Sequence, residues 1–222
     1  MLRQFFKYIF QSIAGMIGIS VYILADTFFI SVHSGADGLA VLNLILPVYG
    51  LVYAIGAMIG IGSATRFGIN RAKGENTDHY FLQSVFWSVL CSVPFIITGI
   101  VAPEKFLHLL GADAGLTALG KSYLRIMLIT TPLFMANYTF TAFARNDQGT
   151  STAMAGAISA SLFNIVFDYI FMFPMKLGLA GAALATAISP AITMAICTTH
   201  YLGKKNHVGF RWVRPSIRHL IS

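Results

Sequence analysis

The chain has 222 residues, of which 56% are hydrophobic and only 10% charged, and its mean hydropathy is +0.72. Soluble domains carry about 25% charged residues, so these values exclude an ordinary soluble fold and point to an all-α protein that crosses the bilayer several times. The formal net charge of +7 raises the possibility of nucleic-acid binding, which the placement of the charges argues against.

A bilayer-spanning helix needs about 20 mostly apolar residues, and six stretches supply them: Phe5 to Ile30, Leu39 to Thr65, Phe81 to Val101, Lys121 to Ala144, Ser151 to Phe173 and Gly178 to Leu202. Arg3 and Lys7 precede the first stretch, but it is too long for a signal peptide, lacks a small-residue cleavage pattern and contains Asp26. It reads as a retained span. Of the fifteen Lys and Arg residues, eleven fall on one side of this six-span pattern: Arg3, Lys7, Arg66, Arg71, Lys73, Arg145, Lys204, Lys205, Arg211, Arg214 and Arg218. The other side has Lys105, Lys121, Arg125 and Lys176. The positive-inside rule places both chain ends in the cytoplasm, so the basic excess is topological and faces anionic lipid head groups; no nucleic-acid partner is implied.

Small residues recur at helical spacing, Gly56 with Gly60 and Gly178, Gly181, Ala182, Ala185 and Ser189, which predicts close helix packing. Pro47, Pro94, Pro132 and Pro190 lie inside spans and predict kinks. Cys91 and Cys197 lie in apolar runs and read as buried free thiols. Residues 1–203 form the predicted membrane unit. Residues 204–222 form a basic linker, and Phe210 to Ser222 within it reads as an interfacial amphipathic segment. The chain stops at Leu220-Ile221-Ser222 as if more should follow.

Two of the eight acidic residues, Asp26 and Asp168, lie well inside spans. A carboxylate at a helix centre in lipid costs roughly 2.5–3.5 kcal/mol, so it faces protein or water. Asn164 stands one turn from Asp168 and shares its helix face. At 1.5 Å per residue, Asp26, Asp168 and Thr186 lie roughly 6, 7 and 12 Å below the outer boundary, on three different helices. Structural pairing is one reading of such a set. A Na⁺ or proton site is the other, since carboxylates, an amide and a hydroxyl are hard-oxygen ligands unsuited to soft metals. Asn137 and Thr141 share a face of the fourth span and fit either helix–helix hydrogen bonding or support of a cavity. The six histidines lie near loops or helix ends without ligand spacing.

These features come together as motifs. Tyr22-Ile23-Leu24-Ala25-Asp26-Thr27-Phe28-Phe29-Ile30-Ser31 closes the first span and Gly38-Leu39-Ala40 opens the second. Arg145-Asn146-Asp147-Gln148-Gly149 leaves the fourth, Asn164-Ile165-Val166-Phe167-Asp168 lies in the fifth, and Gly178 through Thr186 opens the sixth. In this order and spacing the chain resembles the N-terminal half of a MATE (multidrug and toxic compound extrusion) transporter, on its bacterial MepA-like and DinF-like branch. The resemblance implies one six-helix lobe of a twelve-helix fold in a bacterial inner membrane. The activity it implies is export of cationic, aromatic compounds in exchange for Na⁺ or H⁺, with no cofactor beyond the coupling ion. It also implies Asp26, Asn164, Asp168 and Thr186 as the cation or proton site, with Asn137 matching a further family Asn. The partner would be the missing C-terminal lobe or a second copy. The first span departs from the pattern: Tyr8-Ile9-Phe10-Gln11-Ser12 lacks the proline many relatives carry there.

Two alternatives share the fold, a lipid-linked oligosaccharide flippase, for which a more basic cavity is expected, and a non-transporting truncated lobe. An enzyme is not expected. A six-span serine protease would need Ser63 and His200 to meet in mid-membrane, and both sit near the inner ends of their spans. A channel would need a filter or an Arg-rich sensor, and neither is present in the sequence.

Overall fold

Apolar runs in lipid become helices because only a helix satisfies every backbone N–H and C=O within one segment. The computed structural model describes residues 2–203 and 206–213, and its regular structure is all helix, with no strand among those residues. The helices are α1 (Leu2–Ala72), α2 (Tyr80–Val101), α3 (Pro103–Leu109), α4 (Ala114–Ile129), α5 (Thr131–Asn146), α6 (Thr150–Met172) and α7 (Leu179–Tyr201).

α1 has 71 residues, about 107 Å if straight, far beyond a bilayer. It is divided at Gly35, where φ is 59° and ψ −145°, a backbone conformation that only glycine adopts readily. The first and second expected spans are its two arms. α4 and α5 together are the fourth span, bent by 45°. Pro132 removes a backbone donor at this break, and the Leu128 carbonyl it frees accepts from the Thr131 hydroxyl at 2.8 Å; the Thr130 hydroxyl adds to the Ile126 carbonyl at 2.8 Å. Pro47, Pro94 and Pro190 stay inside continuous helices. Among the described residues, four helices are long and apolar enough to cross, five with the bent pair. Counting α1 as two arms makes six, the expected bundle.

Several boundaries differ from the expectation. α4 begins at Ala114 rather than Lys121 because the Asp113 carboxylate caps it, accepting from the Leu116 N–H at 2.8 Å. α3 was not anticipated; its seven residues bury Pro103 and Leu107. Arg66, Arg71 and Arg145 extend their helices instead of lying in loops. Both cysteines are free, but Cys91 is only half-buried because its side of α2 is partly uncovered.

The small-residue stripes are packing surfaces. A Cβ on Gly60 would lie 2.6 Å from the Thr139 backbone nitrogen and 2.7 Å from the Tyr138 carbonyl carbon, and one on Gly56 would lie 2.9 Å from the Met135 Cα. The second arm of α1 therefore lies directly on α5. Beside this contact the Ser84 and Thr139 hydroxyls pair at 2.8 Å, tying α2 to α5. Gly181 meets the Phe171 backbone in the same way, and Gly156 meets Thr193. Gly60→Val is expected to cost about 2–3 kcal/mol, because backbone cannot yield as a side chain does. A lower thermal midpoint in detergent would show it, and an unchanged midpoint would refute the close approach.

At the end of the bundle where α5 and α7 finish, Asp147 is buried and joins four segments. Its Oδ1 meets Arg71 Nη1 at 2.6 Å and His207 Nδ1 at 3.0 Å. Its Oδ2 meets His200 Nε2 at 3.0 Å and accepts from the His207 backbone N–H at 2.9 Å. Residues 206–213 are therefore held against the bundle. The Arg211 N–H donates to the Asp78 carbonyl, and Phe210 and Trp212 set their rings edge-on against Phe81 and Phe86. This stretch is not helical, so the part of the expected amphipathic segment that is described is a docked strap, held by side-chain contacts that hydropathy does not register. Lys204, Lys205 and the remainder of that segment, residues 214–222 with Arg214 and Arg218, lie outside the described residues.

Candidate functional site

Three helices carry the candidate ligands. α1 meets α6 through small residues: a Cβ on Gly18 would lie 3.3 Å from Ser161 Oγ, and one on Gly15 would lie 3.8 Å from Ala157 Cβ. That close approach brings Asp26, two turns above Gly18, toward Asp168 on α6. The α6–α7 hairpin turns through Lys176 and Gly178, both at positive φ, and sets Thr186 beside Asn164.

Asn164 and Asp168 are fully buried, and Asp26 and Thr186 are 8% and 6% exposed. The Asn164 amide is oriented by its neighbours. With Nδ2 toward Asp168 it donates to Oδ2 at 3.1 Å, and its oxygen accepts from the Thr186 hydroxyl at 3.2 Å and the Thr186 N–H at 3.3 Å. The opposite orientation sets oxygen against oxygen. Asn164 therefore links α7 to the Asp168 carboxylate. The second oxygen of Asp168 and one oxygen of Asp26 are buried without a protein partner. Buried acceptors are normally satisfied, and these two carboxylate oxygens are exceptions.

Tyrosines surround the carboxylates, a feature the hydropathy reading missed. Tyr22 stands one turn before Asp26 on the same face. Tyr53 stacks on Tyr49 with centroids 5.8 Å apart and meets Tyr138 edge-on at 5.8 Å. The i, i+4 spacing of Tyr22 and Asp26 was the available signal; the residues from α1's second arm and α5 had none, because they come from far along the chain. One turn above the acids, Phe29 packs against Tyr169 and Phe173, and His33 against Phe173, closing that end with aromatic surface.

Asn137 and Thr141 make no hydrogen bond to this cluster. The Thr141 hydroxyl donates to the Asn137 backbone carbonyl at 2.8 Å, within α5. The Asn137 side-chain oxygen is buried and unpartnered. Among the described residues, no three His, Cys, Asp or Glu side chains group as a metal centre.

The helical bundle is similar to that of known transporters. Residues 12–170 match the MatE family. The multidrug export protein MepA of Staphylococcus saprophyticus is 28% identical over 202 residues, 88% of this chain and 44% of that protein. MepA of Staphylococcus aureus strain MRSA252 is 25% identical over 171 residues, 76% of this chain and 38% of that one. Among solved structures, a MATE in the bent conformation superposes with a TM-score of 0.81 at 28% identity, covering 96% of this chain and 49% of that one. An outward-facing multidrug resistance MATE family transporter of the MOP superfamily superposes with a TM-score of 0.83 at 25% identity, covering 95% and 48%. The chain thus spans about half the length of the relatives it matches. The family match extends over most of the sequence and the solved folds over nearly all of it, with the carboxylates held between helices of that same bundle: the chain belongs to the MatE family.

Proposed function

We propose that the chain is the N-terminal lobe of a multidrug efflux antiporter that exports cationic, aromatic compounds in exchange for Na⁺ or H⁺. Residues 1–203 are the membrane lobe and residues 204–222 lead toward a second lobe or second copy, with both ends of the lobe in the cytoplasm. The observation that carries this reading is the pair of buried carboxylates on α1 and α6 with partnerless oxygens. Asp26 and Asp168 supply the charge. Asn164 orients Asp168, and Thr186 anchors Asn164. Oxygen donors of this kind suit Na⁺ or a proton.

Binding of either cargo ion removes the intramembrane charge that otherwise disfavours a closed apolar packing of α1 on α6, so ion occupancy biases the lobe between two conformations. The surrounding tyrosines offer π faces to an organic cation. Asn137 and Thr141, lower on α5, support that cavity.

The test uses protein purified from its source membrane. An intact mass about twice 24.1 kDa would make the chain one lobe of that transporter. In proteoliposomes an imposed Na⁺ or proton gradient is expected to drive efflux of an aromatic cation such as ethidium. Efflux indifferent to both gradients would overturn the antiport reading.

A further inference from the structure

At the end of the bundle opposite Asp147 lies a cavity of about 250 Å³. Its wall is the last turn of α2, the start of α3 and the middle of α4, and it presents Glu104, Lys105, Lys121 and Arg125. Glu104 is ion-paired with Lys121. The hydrogen bond from that ammonium, and its charge, hold the Glu104 carboxyl below the usual carboxylate range, so the acid stays ionised and offsets that one lysine. Lys105 and Arg125 are the excess positive charge.

The surroundings of Arg125 identify what balances it. It stands one turn into α4 beyond Lys121, about 6 Å along the helix. Toward α2 and the next turn of α4, the exposed side chains beside it are the aliphatic Ile97, Ile100, Val101 and Ile129, with Lys121 and Ser122 on the turn before. Gly99 holds α2 against α4 here, since a Cβ would lie 2.7 Å from Leu128 Cβ and 3.4 Å from the Arg125 carbonyl oxygen. Charges kept for solubility sit among polar neighbours. A guanidinium bordered by exposed aliphatic side chains sits instead where acyl chains give way to head groups, and lipid phosphate is the abundant anion of that zone. The planar fork of Arg suits two phosphate oxygens at once.

We propose that this cavity binds the phosphodiester of an anionic phospholipid from the adjacent leaflet, with Arg125 and Lys105 on the phosphate and the acyl chains along Ile97, Ile100 and Val101.

Native mass spectrometry of the purified protein, equilibrated with equal phosphatidylglycerol and phosphatidylcholine, tests this. Wild type is expected to retain phosphatidylglycerol preferentially. The double variant Lys105→Gln, Arg125→Gln is expected to lower that preference about tenfold, as two interfacial cations are removed. Arg125→Lys, which keeps the charge without the fork, is expected to fall between. Lys73→Gln, which removes one general interfacial cation at the other end, is expected to lower the ratio far less than the double variant. Both cavity side chains are exposed, so their loss leaves the core intact. An undiminished preference in the double variant would overturn the site, and an equal loss in Lys73→Gln would reduce it to general surface charge. Displacement of phosphatidylglycerol by inorganic phosphate at matched concentration would identify a free anion as the occupant and overturn the lipid assignment.

Discussion

Asp168→Asn is expected to reduce gradient-driven efflux by roughly tenfold or more, the scale of a typical coupling free energy between two sites, while the protein still inserts and folds. The replacement has nearly the same shape, and its carbonyl accepts the Asn164 amide as the Asp168 Oδ2 does now at 3.1 Å. What disappears is the charge whose second oxygen has no partner in the protein. Removing a buried charge from an apolar setting does not destabilise the fold, so the thermal midpoint is expected to stay level or rise. That split separates an ion-coupling role from structural pairing: a carboxylate kept for packing would lower the midpoint and spare export. Asp37→Asn supplies the contrast. Asp37 is exposed beside the Gly35 break, and its loss is expected to leave efflux unchanged. Wild-type efflux from Asp168→Asn would remove the carboxylate from the coupling mechanism.

Asp147→Ala is expected to lower stability by about 2–4 kcal/mol, somewhat below the full penalty for breaking a buried pair, because Arg71 is partly exposed and recovers water. Asp147 has no exposed side-chain surface, and both of its oxygens are engaged, with Arg71, His200 and His207 as partners. Without it, His200, which is 9% exposed, keeps a buried ring nitrogen with no acceptor. The strap loses both the side-chain and backbone anchors of His207. Two readouts should move together: a midpoint lower by roughly 5 °C or more, and faster hydrogen exchange at the amides of His207 and Arg211. A lower midpoint with the strap still protected would show that Phe210 and Trp212 hold it unaided, and no change in either would dismiss the hub.

The six spans were legible in the sequence because a bilayer imposes a local requirement. Each crossing must be a run of about 20 apolar residues with its backbone satisfied internally, and nothing distant alters that. Asp26 and Asp168 were visible for the same reason, since a charge inside such a run is conspicuous, and Asn164 followed from helical periodicity. What lies around those residues depends on chain segments far away. Apart from Tyr22, the tyrosines around the carboxylates come from α1's second arm and α5. The 45° break in the fourth span falls at one of four in-span prolines, and the local sequence did not mark which. Asp147 was the plainest case. Beside Arg145, Asn146 and Gln148 it reads as a solvated loop acid, yet it is buried by Arg71, His200 and His207, residues 76, 53 and 60 positions away. Local composition determined the helices and the charges inside them; tertiary structure alone decided which polar groups are paired, because pairing is a property of segments brought together from across the chain.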